Sequence, residues 1–211
     1  VDLTAFSPRP RGKTTHCQLD LPKHCRLIGS MGQLGLRKGT EKVLESARLL
    51  ADRFPDVHWV IAGERHSEKA EAIAFEANLH RLASESGLAD RVHFVGCVAD
   101  VPNWMADLTM LVHTARQEPL GRVLLEASAM GVPVVTTDVG GTTEILGPSH
   151  NPLVVVDTVE ALTNAIERLL DDPAGCADAA RRQRLRATQA FDAKKRGFEW
   201  SEHYRDVAAV A

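Results

Sequence analysis

From Arg26 onward, short, mainly apolar runs alternate with longer stretches in which apolar residues recur every three or four positions. The runs at 26–32, 57–63, 92–96, 108–112, 133–137 and 153–156 read as strands buried on both faces. The stretches between them read as helices. Over 39–54, Val43, Leu44, Ala47, Leu50, Ala51 and Phe54 form one stripe at helical spacing. A long helix is expected over 67–86 and a short one with Pro102 in its first turn. Others fall near 120–130 and 142–146, and the rest of the chain after 159 is expected to be helical, opening on a stripe of Val159, Leu162, Ile166 and Leu169. Strand–helix alternation of this kind predicts an α/β, Rossmann-like, doubly wound parallel sheet of about six strands with helices on both faces. Its crossovers should be right-handed.

Residues 1–25 break the pattern, with three prolines, several basic residues and no sustained periodicity. That composition is a linker's. The chain thus divides into a linker over 1–25, a Rossmann-like domain over 26–190 and a C-terminal helix over 191–211. In an open sheet, ligands bind beyond the C-terminal ends of the strands. The chemistry is therefore expected at 32–38, 63–66, 96–98, 113–121 and 138–143.

Composition narrows the choice of partners. With 211 residues, 44% hydrophobic and 25% charged, the chain can bury a core without metal or disulfide staples. A net charge of -3 predicts no attraction to nucleic acid or anionic membrane through bulk charge. No run reaches membrane-spanning length and no signal peptide opens the chain, whose first residue, Val1, implies a trimmed or processed start. Four irregularly spaced cysteines, Cys17, Cys25, Cys97 and Cys176, read as reduced thiols. A cytoplasmic protein is expected, with peripheral membrane association left open for the full-length chain. His16-Cys17 and His24-Cys25 hold four potential zinc ligands, but a metal knuckle places its first two closer together, and a loosely ordered linker is the simpler expectation.

Two places look made for an anion. Arg122 falls in the first turn of the 120–130 helix, where a cation opposes the macrodipole and the early N–H groups, at Leu120, Gly121, Arg122 and Val123, lack partners. A bound anion removes that conflict, whereas an Arg122–Glu126 pair at i,i+4 contributes only a few tenths of a kcal/mol. Arg37 and Lys38 repeat the arrangement at the entrance to the 39–54 helix. Either cluster alone could be solubilising surface charge; together, on one sheet edge, they point to a diphosphate.

Glu118-x7-Glu126 followed by Ala-x-x-x-Gly-Val-Pro-Val-Val, then Thr137-Asp-Val-Gly-Gly-Thr-Thr-Glu144, resembles the retaining glycosyltransferases of family 4. Further likenesses are Val1-Asp2 with Phe6 and Pro8 to that family's interdomain linker, Arg91–Gly96 with Val101-Pro102 to its third strand and turn, and Phe198-x-Trp200 to its last helix. The resemblance implies the C-terminal half of a GT-B fold, which holds a nucleotide-sugar donor, most commonly a uridine diphosphate sugar. It implies that Lys38 neutralises the donor diphosphate, with Lys38 and Glu118 the catalytic pair. It places Glu118 near the sugar hydroxyls, Glu126 on the ribose, and Leu120, Gly121, Arg122 and Val123 around sugar and phosphate. Gly96, Cys97 and Val98 fall in the loop that meets the base. Where the family has an arginine five residues before the lysine, this chain has Gln33, so either Arg37 substitutes or phosphate affinity is lower. Pro119 replaces the usual glycine after Glu118, stiffening the turn.

No Asp-x-Asp metal pair occurs, so the cations and helix start would do a metal's work, and no cofactor is expected. The acceptor site would lie in an N-terminal domain that this chain lacks, leaving it inactive alone. Alternatives are a nucleotide-sugar epimerase on the same fold, a non-catalytic binding module, or a dinucleotide oxidoreductase using Gly29, Gly32, Gly35 and Glu64, whose glycine spacing is wrong. His113, ending the fourth run, suits either a sugar contact or a structural role. Trp59 and Trp104 read as packing residues, and Trp200 with Tyr204 as a patch facing another domain.

Overall fold

In the computed structural model, residues 1–12, 14–85, 87–147 and 153–210 are described. Position 13 of the expected linker, the expected helix end at 86 and residue 211 lie outside them. The apolar runs become β1 (Arg26–Met31), β2 (Val57–Ala62), β3 (Val92–Gly96), β4 (Met110–His113), β5 (Val134–Thr137) and β6 (Val154–Val155). They form one parallel sheet in the order β3-β2-β1-β4-β5-β6, with Ile28 beside Met110 and Leu111 beside Val134. The doubly wound expectation is met.

Alternate residues of each strand serve opposite layers. Ile28, Trp59, Ile61 and Val112 pack under α2 (Thr40–Leu50), α3 (Ala70–Ser84) and α7 (Val159–Asp171). Leu27, Val60, Leu111 and Val134 pack under α4 (Val101–Ala106), α5 (Arg122–Met130) and α6 (Thr142–Leu146). Trp59 is therefore core, at 2% exposure. Helix starts follow local chemistry. The Asp100 and Thr158 side chains accept from Asn103 N and Ala161 N, and Asp172 accepts from Gly175 N ahead of α8 (Pro173–Ala190). Buried Gln183 of α8 receives the Val134 N–H at 2.8 Å and donates to the Val134 carbonyl at 3.0 Å, pinning the helix to the start of β5.

Several expected boundaries move. The fourth strand is shifted from 108–112, because Leu108 N bonds the Met105 carbonyl and closes α4 while Leu108 packs against Gly29 of β1. A Cβ at Gly29 would stand 2.4 Å from a Leu108 methyl. The apolar stripe of α2 outlasts the helix: Ala51 and Phe54 are buried, yet Pro55 keeps the preceding residues from continuing it. The 67–86 helix begins at Ala70, past a polar 67–69 with no apolar face to bury.

Within 1–25 the chain carries a short helix, α1 (Thr14–Gln18), which periodicity did not announce. His16 is 1% exposed and its Nε2 meets the Cys25 carbonyl at 2.9 Å, while Thr15 N donates to Asp107. At the other end, α9 (Ala193–Val210) begins beside the chain start, Ala193 N donating to the Val1 carbonyl at 3.0 Å. Phe198, Trp200 and Tyr204 are all more than half exposed on it. Among the described residues no helix is long and apolar enough to cross a membrane.

Candidate functional site

The strand order reverses between β1 and β4: the chain moves one way from β1 to β2 and the other way from β1 to β4. Loops leaving those two strands part at that point and open a crevice. A cleft of about 670 Å³ lies there. Gln33, Arg37, Lys38, Cys97, Val98, Glu118, Leu120, Gly121, Arg122, Val123 and Glu126 all line it. Of the expected site residues only Gly96 does not; its carbonyl takes the Gly63 N–H at 2.8 Å, in the floor.

After β1 the chain makes a 3-10 turn, Leu36–Lys38, and enters α2 through Gly39. Gly39 has φ +62°, and a Cβ there would stand 2.3 Å from the Thr114 carbonyl. Thr114, just past β4, donates its hydroxyl to the Lys38 and Gly39 carbonyls at 3.0 and 2.8 Å. The end of β4 thus holds the lysine turn against itself. Arg37 is exposed, and its Nη2 donates to Gln33 Oε1 at 3.3 Å, so the side chain in the family arginine's place touches the cation next to Lys38.

Lys38 Nζ is bonded to Glu118 Oε2 across the crevice, from 80 positions away in sequence. The same oxygen lies 3.1 Å from His113 Nε2, and Gly121 N donates to Glu118 Oε1 at 3.0 Å. Gly140, at φ +52°, packs so close that a Cβ would fall 1.9 Å from the Glu118 carbonyl. The His113 hydrogen bond first, and the Lys38 bond and charge after it, outweigh partial burial and bring the Glu118 carboxyl down to about 2. A carboxyl depressed in the fold stabilises it above the ordinary carboxyl range, and that stability is lost as pH falls through the folded value. Denaturant midpoints should therefore decline between about pH 4.5 and about 2, and Glu118→Gln should flatten that part of the profile. An unchanged profile would show that the ion pair does not persist in solution.

α5 begins at Arg122, two residues later than the periodicity suggests, because Gly121 takes φ +81°. The Gly121 N–H is consequently spent on Glu118, and Arg122 and Val123, the first residues of α5, line the cleft. Glu126 stands one helical turn inside, its side chain 15% exposed in the cleft wall. Arg122 reaches it only at 3.5 Å with a side chain 84% exposed, a contact too long to hold the carboxylate.

The cleft also includes Glu64 and His66, which fall in the expected 63–66 stretch but were given no individual role beyond a dinucleotide alternative for Glu64. Glu64 Oε1 accepts the Cys97 N–H at 3.2 Å and its carbonyl accepts Leu34 N, joining the loops after β1, β2 and β3. Its position directly after Gly63 at a strand end was the available signal. Gly29 lies inside β1, not in a phosphate turn, so the geometry removes the dinucleotide alternative.

Comparison with known proteins agrees with this geometry. The family described as "Glycosyl transferases group 1" matches residues 13–189. The lipopolysaccharide core biosynthesis mannosyltransferase LpsB of Rhizobium meliloti is 32% identical over 216 residues, covering 100% of this chain and 58% of that protein. Among solved structures, Anabaena Alr3699/HepE in complex with UDP superposes with a TM-score of 0.86 at 25% identity, over 98% of this chain and 56% of that one. The C-terminal domain of a glycosyl transferase group 1 family protein, LpcC from Francisella tularensis, superposes at 0.80 with 24% identity, over 92% of this chain and 99% of that domain. The architecture is that of the C-terminal half of a GT-B fold. The chain spans about half the length of the curated relatives it matches.

Proposed function

The chain belongs to the group 1 glycosyl transferases, and on that premise we propose that its cleft holds the nucleotide-sugar donor of a retaining, family 4 type transferase. The observation that carries the proposal is the convergence of Lys38, Glu118 and the start of α5 at the β1/β4 reversal, from segments far apart in sequence. We assign the diphosphate to Lys38, Arg37 and the Arg122 and Val123 N–H groups, a reading supported by all four residues lining the cleft. Breaking the bond between sugar and diphosphate puts negative charge on the leaving group, which preformed cations and dipoles stabilise without reorganising. The chain has no Asp-x-Asp pair, and we assign that duty to these groups rather than to a metal.

Glu126 is assigned to the ribose hydroxyls, and Cys97 and Val98 to the base. Glu118, whose Oε1 has one donor among the described residues where a carboxylate oxygen takes about two, is assigned to the sugar. A uridine diphosphate sugar is the proposed donor, supported by the UDP and UDP-glucose complexes of HepE. The acceptor site is placed in a further, N-terminal domain of a longer protein. We place the transfer in the cytoplasm and in polysaccharide or glycoconjugate assembly; the lipopolysaccharide core biosynthesis in the LpsB relative's name supports the second of these.

A thermal-shift screen of nucleosides, nucleoside diphosphates and nucleotide sugars tests this. At about a hundredfold excess over the dissociation constant, a true ligand should stabilise the chain by ~2.7 kcal/mol. Diphosphates should outrank their nucleosides, and the chain alone should transfer no sugar. Stabilisation by no nucleotide, or robust transfer by the purified chain, contradicts the proposal.

A further inference from the structure

We infer that His113 is a positioning residue for Glu118, holding the carboxylate at the sugar end of the cleft after Lys38 turns from it to the diphosphate. The inference rests on the donor assignment above and adds to it a residue that never touches the donor. His113 is the last residue of β4 and 3% exposed, so its ring has little freedom. Its Nε2 lies 3.1 Å from Glu118 Oε2, within reach of an N–H donated to that oxygen.

Among the described residues, Oε2 has two side-chain donors, Lys38 and His113, and Oε1 has the Gly121 N–H. Lys38 sits on a flexible four-carbon stem and can swing to an incoming anion. His113 cannot follow. Once the ammonium leaves, the imidazole is the side-chain donor that remains on Oε2, and with Gly121 N it fixes both carboxylate oxygens. The open position on Oε1 then faces one defined direction instead of a set of rotamers. His113 also borders a cavity of about 10 Å³ walled by Ser30, Leu34 and Thr40, and no second carboxylate is among its described lining residues. Glu118 is therefore the acid this ring serves. The His113 hydrogen bond is also the largest influence holding the Glu118 carboxyl at about 2.

The test compares His113→Met, which keeps bulk without a donor, with His113→Gln, whose amide can donate, in two measurements. In calorimetry with UDP and UDP-glucose, His113→Met should change UDP affinity by less than about twofold. It should cut the gain conferred by the sugar by about fivefold or more, and His113→Gln should restore most of it. In carboxyl-carbon NMR without ligand, Glu118 should stay ionised to below about pH 3 in the parent, titrate nearer the ordinary range in His113→Met, and recover in His113→Gln. Equal weakening of both ligands in the folded Met variant, or a Gln variant as defective as Met, overturns the inference. An unmoved Glu118 titration in His113→Met does so too. If the parent binds neither UDP nor UDP-glucose, the donor assignment fails instead, and the NMR comparison still decides whether His113 holds Glu118.

Discussion

Replacing Lys38 by alanine should weaken nucleoside diphosphate binding by ~1.5–3 kcal/mol, about ten- to a hundredfold, and leave the parent nucleoside almost unaffected. The size follows from a charge-assisted contact to phosphate in a partly buried site; the Lys38 side chain is only 17% exposed. The free chain already spends that ammonium on Glu118, so diphosphate must outcompete a carboxylate for it. That competition places the effect toward the smaller end of the range. Removing Lys38 still leaves Glu118 with His113 and the Gly121 N–H, so the loop should keep its shape and the loss should be specific to phosphate. An equal loss for nucleoside and diphosphate would place Lys38 away from the phosphates.

The second large effect separates the two glutamates. Glu126→Ala should weaken every nucleotide, with or without a sugar, by ~1.5–3 kcal/mol, since two ribose hydroxyls would lose a charged acceptor. Among the described residues its ion-pair partner is Arg122, at 3.5 Å and with a side chain 84% exposed, so that contact is a weak competitor for the ribose. Glu118→Ala should behave differently. It frees Lys38 from its partner, so nucleoside diphosphate binding should hold or tighten while the advantage conferred by the sugar disappears. Calorimetry on both variants with diphosphate and nucleotide sugar decides the matter. A Glu126→Ala chain that binds diphosphate like the parent makes Glu126 a surface residue paired with Arg122.

The inner strands were legible because they are almost wholly buried and rich in apolar residues, as in Val57–Ala62 and Val134–Thr137, whereas β3 at the sheet edge is mostly half-buried. Boundaries were less so where tertiary packing decided them. Leu108 looks like strand but closes α4 over Gly29, and Phe54 continues a helical stripe beyond the helix because Pro55 follows. The buried His16 could not be read from a proline-rich, basic segment whose burial depends on Asp107 and Cys25. Most cleft residues were legible because strand-end loops carry them in an α/β sheet. What they do to one another was not. The bond between Lys38 and Glu118 spans 80 positions, and the grip of His113 on Glu118 depends on β4 ending at 113 with the ring turned back toward the loop. Glu64 was visible as a residue at a strand end, but its tie to Cys97 exists only because β2 and β3 are neighbours.

Amide chemical-shift mapping of the labelled chain with UDP tests the central assignment most directly, because it locates the ligand without assuming a catalytic role for any residue. At ~1 mM UDP the largest changes should fall at Arg37 and Lys38, at Cys97 and Val98, and at Gly121 to Val123, on three of the loops that wall the cleft. A spectrum that UDP leaves unchanged would contradict the account. So would changes confined to a separate cavity of about 560 Å³ at the opposite end of the sheet, lined by Thr109, Cys176 and Arg184.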